Sequence, residues 1–453
     1  MKDKKPNIIF IFSDQQRADS CGCYGQKINI TPNLDKMAEK GVIFNNSFTC
    51  QPVCGPARSS IMTGKYPTEI NTYVNGRCLP TNEKTIAYFL SETGYEVGYI
   101  GKWHLASHRG KEGPGQITFD CKSGPVPPER RGGFKDFWLS SDILEFTSHG
   151  YDGHMFDDNG DKREFPEGKY RVDVQTDWVM EYLESRDGKK PFFLFASYIE
   201  PHHQNDHNHF EGPHGSKEKF KDYIVPGDLV GTEGDWEEEY PDYLGCIESL
   251  DSNLGRIIDK IDKLGIKDET VIIYTSDHGC HFRTRNGEYK RSCHESSIRV
   301  PMVISGPGFE GGKKIKDIAS LIDIPPTVLK IAGIDTPKEM QGRPLQDILQ
   351  KSCTDWPKEA FIQISETQIG RAIRTARWKY SVRAPGDHVA DDMKDSPVYI
   401  EEFLYDLKED PYERNNLITD PKYTDIRNDL KNILLKRIEV IENQRPGIRN
   451  IQD

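Results

Sequence analysis

Two cysteines, Cys50 and Cys54, sit close together in the stretch SFTCQPVCGPARSSIMTGKYP, which runs from Ser47 to Pro67. Such a pair could hold zinc, close a disulfide, lie in a phosphate loop or supply a nucleophile. Zinc needs a second Cys or His pair at short spacing, and none follows. A P-loop needs an upstream glycine and a hydroxyl after Gly-Lys, and TGKYP has neither. A thiol nucleophile needs a base beside it, and without one Cys54 reads as a buried structural thiol. A second group of chemistry-bearing residues closes apolar runs. Asp14-Gln15 ends PNIIFIFSD and Asp277-His278 ends ETVIIYTSD. Two carboxylates, an amide oxygen and an imidazole make a mostly oxygen-donor set. That suits a hard divalent ion, calcium or magnesium, better than zinc. Either pair alone could also cap a strand–helix turn. Lys102 and His104 lie in GKWHL, His202 follows Glu-Pro at the end of another apolar run, and Lys290 lies in EYKR. Taken singly, these read as solvated or packed side chains.

Taken together they read differently. CGPARSSIMTGKYP, from Cys54 to Pro67, resembles the signature of the type I sulfatases: Cys or Ser, any residue, Pro, a small residue, Arg, then Thr-Gly. Cys54, Pro56, Ala57, Arg58, Thr63 and Gly64 all match. SDQQRAD, GKWHL, EPHH, SDHG, KRSCHESSIRVP and FLYDLKEDPYERNNL are similar to that family's blocks, in the same order, over nearly the whole chain. The resemblance implies an alkaline-phosphatase-like fold and a sulfuric ester hydrolase. It also implies a maturation enzyme that converts Cys54 to formylglycine, and a divalent metal, usually calcium with magnesium as the alternative. The metal would be held by Asp14, Gln15, Asp277 and His278, with the modified Cys54 facing it. The family commonly has Asp at the position of Gln15 and Asn at that of His278, so this site carries less anionic charge.

The resemblance also assigns roles. The hydrate of an aldehyde has two hydroxyls; one attacks sulfur and the other drives sulfate out, which splits one hard step into two. Arg58 would fix the hydrate, Lys102 would contact hydrate and sulfate, and His104 would be the base for elimination. On an extended segment, alternation would put Lys102 and His104 on one face. His202 would protonate the leaving alcohol, with Gln204 standing where the family often has proline. Lys290 would bind sulfate, giving three cations around a doubly charged transition state. His281, Arg283, Arg285 and His294 surround the second metal-side turn in sequence. They are candidates for contact with a substrate carboxylate or further sulfates. The substrate class implied is a sulfated carbohydrate, with small aryl sulfates and phosphonate monoesters or phosphodiesters as the alternatives inside the superfamily. An inactive calcium-dependent glycan-binding protein is the alternative outside it.

These residues need a frame that brings strand ends together. NIIFIF, FFLFAS, TVIIYTS and PMVIS are short apolar runs suited to central strands covered on both faces. Between them TPNLDKMAEKG has a Thr cap, Pro at the first position and a terminal Gly, a helix signature. TNEKTIAYFLSETGY and YLGCIESLDSNLGRIIDKIDKLGI carry apolar spacings of three and four. The alternation predicts an α/β fold, a large mixed sheet sandwiched by helices, with sites at the carboxyl ends of strands. We expect a catalytic domain over 1–355. A smaller C-terminal domain over 356–453 would have short antiparallel strands (EAFIQISE, AIRTARWKYSVR, EEFLYDL) and a last helix over 422–442. The His-, Gly- and acid-rich stretch 202–240 is expected to be a long surface insertion.

The chain has 453 residues, 29% of them charged, and a net charge of -12. An acidic surface argues against nucleic acid as a partner without excluding an anionic substrate at a locally basic site. No apolar run approaches the roughly 18 residues of a membrane span. The opening MKDKKPNIIFIFSD has a six-residue apolar run and no small-residue cleavage site, so it reads as a first strand. The protein as written is expected in the cytoplasm, or in the periplasm or outside the cell if a leader has been removed. The ten cysteines are scattered and need not pair.

Overall fold

Asn7–Ser13 forms β1, buried along its whole length, because both faces of the strand carry apolar side chains. The computed structural model describes residues 5–108, 120–350, 354–386 and 393–451. The other strands of its large sheet are β2 (Val42–Phe48), β3 (Glu96–Lys102), β4 (Phe137–Ser141), β5 (His154–Phe156), β6 (Lys162–Glu164), β7 (Phe192–Ser197), β8 (Thr270–Ser276), β9 (Met302–Ser305) and β10 (Lys313–Ser320). Their order across the sheet is β10-β2-β9-β8-β1-β7-β3-β4-β5-β6. The central run β8-β1-β7-β3-β4 is parallel, while β9 is antiparallel to both β2 and β8.

Period-two alternation sorts the central side chains into two cores. Phe10, Phe12, Tyr99 and Phe195 face one way and meet the helices Ile86–Glu92 and Ile324–Ile331. Ile9, Ile11, Leu194 and Ala196 face the other way and meet Pro32–Lys40, Arg171–Ser185 and Trp236–Lys263. Burying each of these large side chains contributes about 1.5–3 kcal/mol. The predicted mixed sheet between helices is therefore the one observed.

A second sheet follows: β11 (Glu359–Ile364), β12 (Gly370–Thr375), β13 (Trp378–Arg383), β14 (Val398–Asp406) and β15 (Gly447–Arg449), in that order. It is antiparallel through β14, and β15 joins parallel. The helix Thr424–Glu442 covers it with Leu430, Leu434, Ile438 and Ile441, one stripe at helical spacing. This sheet braces the approach to Cys54. The backbone N–H of Gln363 donates to the Cys50 carbonyl at 2.8 Å, and Gln51 Nε2 donates to Ser365 Oγ at 2.7 Å.

The stretch 202–240 lies largely at the surface, as expected, but is anchored from beneath. Phe210 and Leu229 are fully buried with Tyr240, Tyr243 and Phe282 in a core of their own. A few spaced aromatics suffice to anchor this long polar segment. Among the described residues, no helix is long and apolar enough to cross a membrane.

Candidate active site

Register alone brings the two carboxylates together. Ser13 of β1 pairs with Ser276 of β8, so Asp14 and Asp277 leave adjacent parallel strands at the same height. On the other side Phe12 pairs with Ser197 of β7, and Ser197 pairs with Gly101 of β3, which delivers Lys102 to the same edge. Asp277 Oδ1 accepts from the backbone N–H groups of Gln15, at 3.0 Å, and of His278, at 2.8 Å. Its buried Oδ2 has no hydrogen-bond partner among the described residues and lies 3.6 Å from Arg58 Nε. The Asp277 carboxyl is pushed up to about 6, by burial first and by Asp14 next.

Cys54 opens the helix Cys54–Thr63, all ten residues of which are buried. Two of its buried hydroxyls are satisfied close by. Ser59 bonds the Pro56 carbonyl at 2.7 Å and Thr72 Oγ1 at 2.6 Å, and Thr63 bonds the Ser59 carbonyl at 2.8 Å. The helix ends at Gly64 with φ 70°, where a Cβ would strike Met340. That explains glycine at this place in the motif. Cys50 is fully buried, and burial pushes its thiol up to about 11. All nine described cysteines are free, so Cys50 and Cys54 are not paired.

Cys54 Sγ lies 2.8 Å from Lys290 Nζ, 3.2 Å from His278 Nε2 and 3.5 Å from Asp14 Oδ1. Burial opposes charge on the thiol, but Lys290, then Lys102 and His278, outweigh it and hold Cys54 well below the usual thiol range. Arg58 is one turn along. Its guanidinium donates to Asp14 Oδ2 at 2.9 Å, the Lys102 carbonyl at 2.9 Å and Ser197 Oγ at 2.7 Å. Lys102 Nζ lies 2.9 Å from Asp14 Oδ2 and 3.2 Å from Glu145 Oε2. Burial would raise the Asp14 carboxyl, as would Cys54, yet Lys102, His202 and Arg58 keep it below the carboxylate range.

One ligating atom from each of Asp14, Cys54, Asp277 and His278 lies within 4.8 Å of the others, all four buried. His278 Nδ1 faces the Gly279 carbonyl at 2.9 Å. That contact places the ring hydrogen on Nδ1 and leaves the Nε2 lone pair facing the two carboxylates. Two close buried carboxylates, one with an orphaned oxygen, and an oriented imidazole fit a divalent cation. Gln15 has a left-handed backbone, φ 68°, and lines the cavity, with its amide nitrogen 3.4 Å from Cys280 Sγ.

His202 Nε2 lies 3.0 Å from Lys290 Nζ and its Nδ1 meets the His203 carbonyl at 2.6 Å. Gln204 ties this loop down: its Nε2 donates to the Glu145 carbonyl at 2.9 Å and to Asp206 Oδ1 at 2.8 Å. His104 lines the same cavity, and its buried Nδ1 has no hydrogen-bond partner among the described residues. Simple alternation does not place it. The chain turns after Lys102, His104 has φ 57°, and the turn is held by Asp142, which accepts from the N–H groups of Leu105, Ala106 and Ser107. Asp142 was legible by the same sign as Asp14 and Asp277, since FWLSSD is another apolar run ending in Ser-Asp. Glu145, the second partner of Lys102, gave no such sign.

Cys54, His104, His202 and Lys290 line a cavity of about 840 Å³. Asn75, Asn205, Tyr289 and Arg291 also line it, the last held between Glu288 at 3.2 Å and Glu366 at 2.6 Å. The four loop residues proposed from sequence as substrate contacts lie outside this lining. His281 Nε2 contacts the Lys290 carbonyl at 3.0 Å, and His294 Nε2 contacts the Tyr405 hydroxyl at 3.3 Å, both buried. Arg283 stacks on Tyr289 and bonds Asn208. Arg285 holds the backbone carbonyls of Tyr412 and Glu413 at 2.8 and 3.0 Å. These four side chains are engaged by neighbouring loops, and Arg283 reaches the cavity only through Tyr289, on which it stacks.

The family described as Sulfatase matches residues 6–334, and that described as N-sulphoglucosamine sulphohydrolase, C-terminal, matches residues 287–440. An ulvan-active sulfatase of Formosa agariphila is 29% identical, the match covering 96% of this chain and 81% of that protein. An N-acetylglucosamine-6-O-sulfatase of Bacteroides thetaiotaomicron is 25% identical, over 95% of this chain and 86% of that protein. A solved structure from work on glycosaminoglycan metabolism by Bacteroides thetaiotaomicron superposes with a TM-score of 0.78 at 25% identity. It covers 98% of this chain and 99% of that one.

Proposed function

We propose a sulfated carbohydrate as the substrate of this chain, which belongs to the sulfatase family and is a sulfuric ester hydrolase. The observation that carries the reading is the meeting of Cys54, Lys290 and His202 at one end of a polar cavity of about 840 Å³. A sugar ring needs hydrogen-bonding walls, and Asn75, Asn205, Glu288 and Glu366 supply them. The relatives named for ulvan and for N-acetylglucosamine 6-sulfate support the same class.

Converted to formylglycine, Cys54 would supply a geminal diol, a nucleophile that can also expel the sulfate it has received. Calcium, with Asp14, Gln15, Asp277 and His278 as its holders, would polarise the sulfate oxygens. The chain's own side chains do the rest. Lys290, Lys102 and Arg58 place three cations against the charge that builds on sulfate, in positions already fixed by the fold. His202 is the general acid for the leaving alcohol oxygen, its Nε2 reached by the Lys290 ammonium at 3.0 Å, which can supply the proton it passes on. The unpartnered Nδ1 of His104 takes the proton whose removal releases sulfate. Cys54 to Thr63 are buried end to end, so a maturation enzyme reading Cys54, Pro56 and Arg58 must act before this helix packs.

The test is turnover of a panel of defined sulfated mono- and disaccharides beside an aryl sulfate and an aryl phosphonate ester. The proposal expects at least one sugar sulfate to exceed the aryl sulfate in kcat/KM. Preference for the aryl sulfate, or faster turnover of the phosphonate, would overturn the carbohydrate assignment.

A further inference from the structure

Beside the loop that carries His202, five more potential metal ligands crowd the surface. One ligating atom from each of His149, Asp206 and His207 lies within 4.8 Å of the others, and the same holds for His207, His209 and Glu211. The two sets share His207. His149 and His207 stack face to face, their centroids 4.1 Å apart and their planes 13° apart.

The outer contacts of the two stacked imidazoles follow one pattern. His149 Nδ1 meets Asp152 Oδ1 at 3.0 Å, while its Nε2 meets Asp206 Oδ2, also at 3.0 Å. His207 Nδ1 meets Glu211 Oε1 at 2.5 Å, and Glu211 is itself fixed by the Gly150 N–H at 2.7 Å. A histidine that ligates a metal through one nitrogen normally gives its other N–H to a carboxylate, which orients the ring and raises its basicity. Here Asp152 stands in that position for His149, and Glu211 for His207. His209 Nδ1 faces the Phe210 carbonyl at 2.9 Å, which leaves its Nε2 lone pair free. The separation of His149 Nε2 and Asp206 Oδ2, 3.0 Å, is a little shorter than the roughly 3.3–3.4 Å edge of a coordination tetrahedron built from bonds of about 2.0–2.1 Å, so a small opening of this contact would admit an ion.

We infer that His149, Asp206 and His207, supported by Asp152 and Glu211, form a second divalent-metal site of the zinc type. Imidazole-rich donors prefer zinc and its neighbours in the first transition row, whereas the buried set around Asp14 and Asp277 is oxygen-rich and suits calcium. The side chains of His149, Asp206 and His207 are 30, 39 and 43% exposed, so an ion can reach them and water can complete its coordination. The site ties residues 149–152 to residues 206–211. Asp206 also accepts from Gln204, two residues beyond His202. A bound ion would therefore brace the loop of the proposed general acid without touching substrate.

The experiment is cobalt(II) and zinc titration of the full chain in saturating calcium, read by visible absorption and by bound-metal analysis. The intact protein is expected to bind one cobalt with a visible band that stoichiometric zinc displaces. H149A and H207A should each weaken that binding by more than about 100-fold, and D152N by about 10–100-fold, the usual cost of losing an outer-shell partner. Circular dichroism of each variant checks folding. The same cobalt affinity in the doubly substituted H149A/H207A protein, or no cobalt bound in saturating calcium, would overturn the assignment.

Discussion

Lys290 Nζ lies 2.8 Å from Cys54 Sγ although 236 residues separate them in the chain, and the same nitrogen lies 3.0 Å from His202 Nε2. One ammonium thus spans the proposed nucleophile and the proposed acid, where the bridging sulfate would sit. Lys290→Ala is expected to lower kcat/KM by about 100- to 1,000-fold, the cost of one preorganised charge donor. Steady-state kinetics on the best substrate checks this, and a loss under about threefold would remove Lys290 from the site's chemistry.

Cys54→Ala should abolish turnover and leave the unfolding midpoint close to that of the parent, since the buried helix keeps its packing. Protein from a host able to mature it should show the aldehyde in the Cys54 peptide by mass spectrometry and by capture with a hydrazide probe. An active protein carrying an unmodified thiol would refute the formylglycine assignment.

His202→Ala is expected to cost about 100- to 10,000-fold on esters with poor leaving groups. The loss should be far smaller on an activated aryl sulfate, because such a leaving group departs without a proton. Kinetics on the two ester types decides the matter, and equal losses would exclude His202 as the acid.

Glu145 links the site to acid stability. Burial would raise its carboxyl, but Lys102, then His202 and His104, bring it down to about 2. A carboxyl lower in the folded than in the unfolded state stabilises above its unfolded value, about 4.3. That contribution fades as pH falls toward 2. The unfolding midpoint should therefore drop over this window, and Glu145→Gln should flatten the drop. A parallel pH profile for the two proteins would assign the acid sensitivity elsewhere.

Arg285 binds the carbonyls of Tyr412 and Glu413, not the cavity. Arg285→Ala should leave KM within about twofold and lower stability by about 1.5–3 kcal/mol, the range for hydrogen bonds from a charged donor. Denaturant unfolding beside steady-state kinetics tests both halves. A large KM effect would return Arg285 to the substrate.

The amino-acid sequence by itself determined the strands and the chemistry at their ends. A run apolar on both faces has one low-energy use, the middle of a covered sheet, so NIIFIF and TVIIYTS announced β1 and β8, with Asp14 and Asp277 just beyond them. The spacing in CGPAR put Arg58 one helical turn from Cys54, and local geometry then sufficed. Contacts across the sequence were decided only in three dimensions. Register set Asp14 beside Asp277. The left-handed turn after Lys102, pinned by Asp142, carried His104 to the cavity. Neighbouring loops engaged His281, Arg283, Arg285 and His294 outside it. Side-chain direction in an irregular loop depends on what packs beneath it, and no periodicity records that. The pairing of Glu145 with Lys102 and of Asp206 with His149 likewise exists only because distant loops meet.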